Sequence, residues 1–429
     1  MQAVILAAGR GTRMGPLTET TPKPMLPVAD GPLVEHVADA AVDAGADELV
    51  LTVGYGAERV RRHFGESHRD VPVRYANQSS QLGTADALSA AADLLDGEFA
   101  VLNGDSLYRG SDLERLFASS PGIGAYRVDD PTQYGVLAVD DGVVTGVREK
   151  PDDPATDLVN AGVYTFPPET VDLLDVPTSE RGERELTDVL DRVMEREDLD
   201  YAVLDAWLDV GRPWELLEAN ERRLPGKAHA LAERNGDDGE TDHDDETDHD
   251  GDTGHQSGTG HDGDTGGDDG VHPDATIRGD VVVETGATVG PGVVIEGPAL
   301  LRAGCSVGPN AYVRGATLIG SGAHVGHAVE IKNSVLMRDS TVGHLSYVGD
   351  SVLGESVNLG AGTNVANLRH DGEPVAVTVK GDRVSTGRRK FGAVLGPGVK
   401  TGIQTGIDAG VTLSAGARTK PGEIVVRDR

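Results

Sequence analysis

The strongest constraint on the fold is a six-residue repeat in the last third of the chain. An aliphatic side chain stands at every sixth position from residue 277 to residue 331, and after an irregular stretch the phase resumes at residue 395. This period predicts three short strands per coil, each turning one aliphatic side chain inward, which is a hexapeptide β-helix. The repeat positions are Ile277, Val283, Val289, Ile295, Leu301, Val307, Val313, Ile319, Val325, Ile331, Leu395, Thr401, Ile407, Leu413, Thr419 and Val425.

A solenoid of this kind buries little surface in each coil. Such proteins often hide their side faces against further copies of the same chain. We therefore expect a homotrimer that assembles through the β-helix.

The second constraint is a glycine-rich loop at the N-terminus, within the string LAAGRGTRMGPLTETTPKPMLPV. Gly9 and Gly11 let the backbone approach a ligand closely, and the N–H groups of such a turn bind anions. A GxG pattern alone is equally typical of an ordinary strand–turn–helix start. Met14 stands where a dinucleotide-binding fingerprint has its third glycine, so that fingerprint is excluded.

Two cations in the same loop favour phosphate binding. The Arg13 guanidinium can fork onto phosphate oxygens, and Lys23 adds a point charge between two prolines that stiffen its backbone. Lysine is scarce in this chain, yet lysines stand in three of the motifs described below, at positions 23, 150 and 332.

Residues 1 to about 225 alternate short apolar strands with helical patterns, which is typical of an α/β domain with a mainly parallel sheet. The turn Asn103–Asp105 and the Gly9 loop both follow strands, so we expect both to open onto one crevice. The predicted strands are Ala3–Ala7, Glu48–Val53, Val73–Tyr75 and Phe99–Leu102, and the predicted helices are Leu33–Ala44, Ala57–Phe64 and Thr84–Leu95.

Residues 228–270 form an acidic tract with almost no apolar side chain, which predicts a disordered linker. The predicted domains are therefore 1–227, 228–270 and 271–429. Four histidines in the tract are spaced six residues apart, which fits a slipped low-complexity repeat better than a metal-binding tract. A non-enzymatic scaffold that binds metal through this linker leaves the motifs of both domains without a role. These histidines are His243, His249, His255 and His261.

The whole chain is acidic, with 71 Asp and Glu against 38 Lys and Arg and a net charge of −33. This charge argues against nucleic acid or an anionic membrane as a partner. An acidic, lysine-poor composition is typical of proteins from salt-loving archaea. Cys305 is the single cysteine and is expected to be buried, and no signal peptide or membrane span is evident, so we expect a cytoplasmic protein.

The N-terminal string resembles that of the sugar-1-phosphate nucleotidylyltransferases, and the repeat resembles that of the left-handed β-helix acyltransferases. Their order resembles the archaeal form of the bifunctional N-acetylglucosamine-1-phosphate uridyltransferases/glucosamine-1-phosphate acetyltransferases. The segment VEIKNSVLMRDSTVGHLSYVGDSVLGESVNLGAGTNVANL carries the acetyltransferase resemblance. The fold it implies is a Rossmann-like nucleotidyltransferase domain followed by a left-handed parallel β-helix.

The resemblance implies site residues in the N-terminal domain. Arg13 and Lys23 match residues that stabilise the phosphates in catalysis, and Asp105 and Asp209 match Mg²⁺ ligands. The nucleotide positions are Leu6, Ala7, Ala8, Gly9, Gly11, Thr12, Arg13, Lys23, Gln78, Gly83, Thr84 and Gly104. The sugar-phosphate positions are Gly135, Glu149, Lys150 and Asn160.

The same resemblance implies a second site in the β-helix. His344 matches the general base that takes a proton from the acceptor amine, a task that suits imidazole. Ala361 matches an acetyl-CoA contact. The segment 369–391 departs from the bacterial pattern, so the acetyl-CoA contacts of bacterial relatives are a poor guide to those of this chain. The acceptor-binding positions are Arg314, Lys332, Tyr347, Asn358 and Asn367.

The implied function is N-acetylation of glucosamine-1-phosphate by acetyl-CoA, followed by Mg²⁺-dependent uridylyl transfer from UTP. Gln78 favours a pyrimidine without separating UTP from dTTP, and galactosamine-1-phosphate is an alternative acceptor. The alternative function is a single-activity glucose-1-phosphate uridylyl- or thymidylyltransferase whose β-helix only trimerises. His344 and its neighbours favour the two-activity enzyme, because a structural β-helix has no need of them.

Overall fold

The computed structural model describes residues 1–179, 182–227 and 270–429. Its described residues form two compact units, one from Met1–Ala219 with Thr378–Val384, and one from Asn220–Val377 with Ser385–Arg429. The predicted acidic linker and its four histidines lie outside the described residues, except for Gly270. No helix within the described part of the chain is long and apolar enough to cross a membrane.

The first unit is built on a mixed sheet whose centre is parallel. Its order is β11-β10-β12-β7-β1-β4-β6-β5, with β9 paired to β12 and β13 paired to β9, and the run β7-β1-β4-β6 is parallel. The strands are β1 (Gln2–Ala7), β2 (Pro27–Val28), β3 (Gly31–Pro32), β4 (Glu48–Val53), β5 (Ser67–His68), β6 (Val71–Asn77), β7 (Phe99–Asn103), β8 (Ser106–Tyr108), β9 (Gly122–Arg127), β10 (Gly135–Asp140), β11 (Val143–Glu149), β12 (Leu158–Phe166), β13 (Asp200–Val203) and β14 (Trp207–Asp209). The helices are α1 (Leu33–Asp43), α2 (Ala57–Phe64), α3 (Thr84–Ser89), α4 (Gly110–Phe117), α5 (Leu186–Met194) and α6 (Pro213–Arg223).

The predicted α/β class is confirmed, and each predicted strand is present within two residues at either end. The helix predicted over residues 84–95 is too long, because α3 ends at Ser89. There the Ser89 hydroxyl donates to the Ala85 carbonyl at 2.8 Å, a back-bond that commonly distorts a helix. A separate 3-10 turn follows at Ala92–Leu94.

The second unit is a parallel β-helix with three faces, as the repeat predicts. Face I is β15 (Thr276–Arg278), β18 (Val294–Glu296), β21 (Tyr312–Arg314), β24 (Glu330–Lys332), β27 (Tyr347–Gly349), β30 (Asn364–Val365), β34 (Gly406–Ile407) and β36 (Ile424–Val425). Face II is β16 (Val281–Val283), β19 (Ala299–Leu301), β22 (Thr317–Ile319), β25 (Val335–Leu336), β28 (Val352–Leu353), β33 (Val394–Leu395) and β35 (Thr412–Leu413). Face III is β17 (Thr288–Val289), β20 (Ser306–Val307), β23 (His324–Val325), β26 (Thr341–Val342) and β29 (Asn358–Leu359).

The irregular stretch of the repeat is still β-helix as far as Val365. Two corners from face I to face II are each one residue short, so that Ile331 is followed by Leu336 and Val348 by Leu353 as inward side chains. After Val365 the chain leaves the solenoid in a long loop that carries a hairpin of β31 (Ala376–Val379) and β32 (Asp382–Ser385).

The inward aliphatic side chains form one continuous core along the solenoid. One predicted inward position is not buried: Ile277 pairs in register with the inward Ile295 but is 39% exposed. It lies on β15, the terminal strand of face I, which pairs with β18 on one side.

Candidate active sites

A cleft of about 620 Å³ lies in the first unit at the carboxyl ends of β1 and β7. It brings together all eighteen residues that the sequence predicts for this domain, although they span more than 200 positions of the chain. These cleft residues are Leu6, Ala7, Ala8, Gly9, Gly11, Thr12, Arg13, Lys23, Gln78, Gly83, Thr84, Gly104, Asp105, Gly135, Glu149, Lys150, Asn160 and Asp209.

The glycine-rich loop is shaped around Lys23. Gly11 has φ 63°, and a Cβ there would lie 2.6 Å from the Lys23 Cβ, so only glycine fits. Gly9 has open space where a side chain would project. The loop therefore lays its backbone against Lys23 while leaving room for a ligand above Gly9.

Strand pairing brings the two predicted metal ligands together. β8 and β14 pair antiparallel with Asp209 opposite Ser106, and the Val210 amide donates to the Asp105 carbonyl at 2.9 Å. The buried Lys23 ammonium makes an ion pair with the Asp105 carboxylate. Residues about 100 positions apart thus form a group of two carboxylates and one ammonium.

The two carboxylates have opposite pKa shifts. Burial raises the pKa of Asp105, but the charge and hydrogen bond of Lys23, helped by Arg13, outweigh it and hold that pKa below its usual range. Burial and the negative charge of Asp105 together raise the pKa of Asp209. A divalent cation would relieve this repulsion, so the pair fits Mg²⁺. The described part of the chain contains no group of three or more His, Cys, Asp or Glu side chains that could hold a metal ion. Substrate phosphates and water must therefore complete the coordination shell of an Mg²⁺ ion bound by Asp105 and Asp209.

The predicted base-binding residues follow β6 and lead into α3. Gln78 is buried, and its side-chain amide donates to the Gly83 carbonyl at 3.1 Å and to the Asp86 carboxylate at 2.8 Å. Gly83 has φ 117°, and a Cβ there would lie 2.3 Å from the Arg184 carbonyl oxygen. The Thr84 hydroxyl accepts from the Leu186 amide at 2.9 Å.

The predicted sugar-phosphate residues line the same cleft. Lys150 has φ 46°, is half exposed, and its ammonium lies 3.7 Å from the Glu149 carboxylate. Asn160 accepts from the Gly162 amide and donates to the Tyr164 hydroxyl, both at 2.9 Å. Its side chain therefore fixes the floor of the cleft and keeps one amide hydrogen for a ligand.

Sequence reasoning missed several residues of the cleft. Asn103 packs against Gly162, where a Cβ would lie 2.1 Å from its amide nitrogen. Asn103 belongs to the turn that is predicted to open onto the crevice, but the sequence motifs assign it no binding role. The other missed lining residues are Arg10, Pro24, Gln81, Ala87, Ser106, Gln133, Tyr134, Ala161, Gly162, Tyr164, Glu183, Glu185, Leu186, Thr187 and Trp207.

In the second unit, the structure gathers four of the five predicted acceptor residues at face I and its corner with face II. Arg314 makes an ion pair with Glu330 at 2.7 Å, and Lys332 makes one with Asp350 at 2.6 Å. Both cations thus have a carboxylate partner that the sequence analysis did not identify. Glu330 and Asp350 lie within the quoted motif, but only strand register across coils reveals their pairing.

Asp350 organises this cluster. It is 3% exposed and accepts from the Lys332 ammonium, the Asn333 amide at 2.9 Å and the Asn367 amide. Asn367 also donates to the Tyr347 hydroxyl at 3.1 Å. Burial, followed by the charges of Asp350 and Glu330, raises the pKa of Tyr347.

The remaining predicted residues lie on neighbouring parts of the solenoid. His344 is exposed in the turn after β26, between faces III and I, and its carbonyl accepts from the Gly362 amide at 2.9 Å. Ala361 lies in the corresponding turn of the next coil. Asn358 is exposed on face III, where its backbone pairs with Lys400. The structure therefore places Asn358 on a different face from the four clustered acceptor residues.

Comparisons with known proteins find matches in both halves of the chain. The nucleotidyl transferase family model matches residues 2–225, and the GMPPB C-terminal domain model matches residues 295–391. A protein of Methanocaldococcus jannaschii named bifunctional protein GlmU is 36% identical over 97% of this chain and 92% of its own length. The bifunctional sugar-1-phosphate nucleotidylyltransferase/acetyltransferase of Sulfurisphaera tokodaii is 32% identical over 100% of this chain and 98% of its own length.

A third relative matches about half of the chain. The UTP–glucose-1-phosphate uridylyltransferase AglF of Haloferax volcanii is 38% identical over 52% of this chain and 96% of its own length. The fold of the two units, the cleft in the first unit and the matches to known proteins together define a nucleotidyl transferase joined to a parallel β-helix. The chain belongs to the family of bifunctional sugar-1-phosphate nucleotidylyltransferase/acetyltransferases.

Proposed function

We propose that the protein makes UDP-N-acetylglucosamine in two reactions. Acetyl-CoA first acetylates the amine of glucosamine-1-phosphate, and the product then displaces pyrophosphate from UTP. The main support for this function is the cleft, which brings together the eighteen predicted residues, including the ion pair of Lys23 and Asp105. The names of the full-length relatives support both activities.

In the first unit, the sugar phosphate oxygen attacks the α-phosphorus of the nucleotide, and the bond to pyrophosphate breaks. Arg13 and Lys23 counter the phosphate charge, and the glycine-rich loop offers backbone N–H groups to the same oxygens. Lys150 binds the phosphate of the sugar. Asp105 and Asp209 would hold Mg²⁺, which supplies positive charge at the phosphates when it is bound.

In the second unit, Arg314 and Lys332 bind the phosphate of the amino sugar, while Tyr347 and Asn367 hold the sugar. Asn358 serves the same acceptor, and Ala361 lies against acetyl-CoA. His344 takes a proton from the amine, whose nitrogen attacks the thioester carbonyl. The new bond is an amide, and the carbon–sulfur bond breaks to release CoA.

The nucleotide that we propose is UTP, with dTTP as the competing substrate. The name of the relative from Haloferax volcanii, a UTP–glucose-1-phosphate uridylyltransferase, supports uridine. Amino-sugar chemistry at the second site supports N-acetylglucosamine-1-phosphate over glucose-1-phosphate at the first.

We also propose a cytoplasmic homotrimer adapted to high salt. Exposed aliphatic side chains on the β-helix, such as Leu345 at 62% and Ile403 at 55%, support an interface between copies. The net charge of −33 supports a saline setting. Light scattering in concentrated KCl should give about three times the chain mass of 44.7 kDa, and a monomer would contradict the assembly.

The test of the function is one incubation of the full chain with glucosamine-1-phosphate, acetyl-CoA, UTP and Mg²⁺, with dTTP, glucose-1-phosphate and galactosamine-1-phosphate as competitors. Mass spectrometry of the products should show UDP-N-acetylglucosamine. Formation of UDP- or dTDP-glucose with no CoA release would contradict the two-reaction function.

Two variants separate the reactions. His344→Ala should stop CoA release and preserve pyrophosphate release. The control is His272→Ala, which removes a histidine of the same unit that no site prediction includes. Asp105→Ala should do the reverse, with the exposed Asp140 changed to Ala as its control. Loss of both reactions in either variant would contradict two independent sites.

A further inference from the structure

The side-chain amide of Gln78 can adopt only one orientation in this structure. Its nitrogen donates to the Gly83 carbonyl at 3.1 Å and to the Asp86 carboxylate at 2.8 Å. Neither partner has a proton to give, so turning the amide over would oppose oxygen to oxygen at both contacts. Both amide hydrogens are thus used by the protein, and only the Gln78 carbonyl oxygen is left for a ligand.

Asp86 acts from behind the cleft. It lies in the first turn of α3 and does not line the cleft, whereas Gln78, Gly83 and Thr84 do. Gln78 is 9% exposed, so the orientation of its side chain is set by protein partners rather than by bulk water. A change at Asp86 therefore alters the donor and acceptor pattern of the cleft without removing a group that touches the nucleotide.

We propose that Asp86 is a positioning residue that sets which pyrimidine the nucleotide site accepts, a proposal that rests on the proposed uridylyl transfer. By fixing Gln78, it presents a hydrogen-bond acceptor to the base. Uracil and thymine carry a donor at N3–H, which matches this acceptor. Cytosine carries a lone pair at N3, which opposes it, and a site with an unmatched buried polar group rejects such a ligand.

The test compares UTP, dTTP and CTP as substrates for pyrophosphate release by the full chain. In Asp86→Ala the ratio of kcat/KM for UTP over CTP should fall by about tenfold or more, mainly through a higher KM for UTP. The UTP to dTTP ratio should stay constant, because both bases carry N3–H, and kcat at saturating UTP should change by about twofold at most. Asp86→Asn keeps an acceptor oxygen and should restore the UTP to CTP ratio.

Two controls keep the outcome decisive. Asp93→Ala removes an exposed carboxylate just beyond α3 and should change no ratio. Gln78→Met removes the acceptor itself and should lower the UTP to CTP ratio as Asp86→Ala does, which tests the mechanism even if Asp86→Ala does not fold. An equal loss for UTP and CTP in Asp86→Ala, or an unchanged ratio in Gln78→Met, overturns the proposal. Failure of the wild-type chain to use UTP would instead overturn the proposed function.

Discussion

Glu215 is predicted to destabilise the first unit at alkaline pH. It lies in the first turn of α6, its side chain is 16% exposed, and it accepts from the Gly211 amide at 2.8 Å. Burial and the negative charge of Asp209 raise its pKa to about 7, although Arg212 lies 3.6 Å away. Glu215→Gln keeps an oxygen that can accept from Gly211 and removes the charge.

The sign follows from proton linkage. A raised carboxyl pKa means that the folded state binds the proton more tightly than the unfolded chain, so stability falls as pH rises from 4.5 towards 7. One pKa unit corresponds to about 1.4 kcal/mol, so the full cost of ionised Glu215 above pH 7 is about 3 kcal/mol. Loss of a negative charge at the helix N-terminus offsets about 0.5 kcal/mol. Glu215→Gln should therefore stabilise the unit by about 2–3 kcal/mol at pH 8.5 and by under about 1 kcal/mol at pH 5.

The chain supplies its own probe for this measurement. It contains two tryptophans, and both Trp207 and Trp214 are buried in the first unit. Urea unfolding followed by tryptophan fluorescence, in EDTA and at constant ionic strength, reports on this unit. The exposed Glu114 on α4, changed to Gln, is the matched control and should change stability by less than about 0.5 kcal/mol at both pH values. An equal effect of Glu215→Gln at pH 5 and pH 8.5 would refute the reasoning.

Three further predictions test other parts of the molecule. Gly11→Ala places a Cβ 2.6 Å from the Lys23 Cβ at φ 63°, so pyrophosphate release should fall by about 100-fold or more while CoA release persists; equal loss of both would contradict this. Burial raises the pKa of the Cys305 thiol to about 12, so Ellman's reagent should find no thiol in the native chain and one after unfolding. Asp350→Ala removes the acceptor that three donors share and leaves the largely buried Lys332 side chain without its ion pair, so CoA release should fall by about 100-fold and pyrophosphate release by less than about twofold. Asp339→Asn is the control for Asp350→Ala: it changes an exposed aspartate whose backbone is also left-handed, and it should alter neither rate.

Many residues of the cleft in the first unit were predictable from the sequence, because the motifs that supply them stand just after predicted strands. Gly9, Gly11 and Gly104 lie within four residues of the ends of β1 or β7, and parallel strands that end at one edge bring such turns together. The contact between Asp105 and Asp209 was not predictable from the spacing, because it depends on the antiparallel register of β8 and β14. The resemblance to a family supplied that pair, and the register explains it.

The position of the second cluster follows from a departure from the six-residue period. In two of the regular coils the corner from face I to face II carries a left-handed glycine, Gly279 or Gly315. Asn333 and Asp350 take that place in the two short corners, with φ 46° and 49°. Asn and Asp tolerate this conformation better than other residues with a Cβ, so the corner gains a polar side chain without losing its turn.

The same two corners bring their side chains into register. Asn333 and Asn367 each lie 17 residues from Asp350, and both donate to it, which makes a ladder of three polar side chains across successive coils. The long loop begins where the third member of the ladder stands, after Val365. Counting the six-residue period treats this stretch as an interruption of the fold. Yet the three regular coils before this stretch carry glycine at that corner, at Gly279, Gly297 and Gly315, and glycine has no side chain with which to hold Lys332.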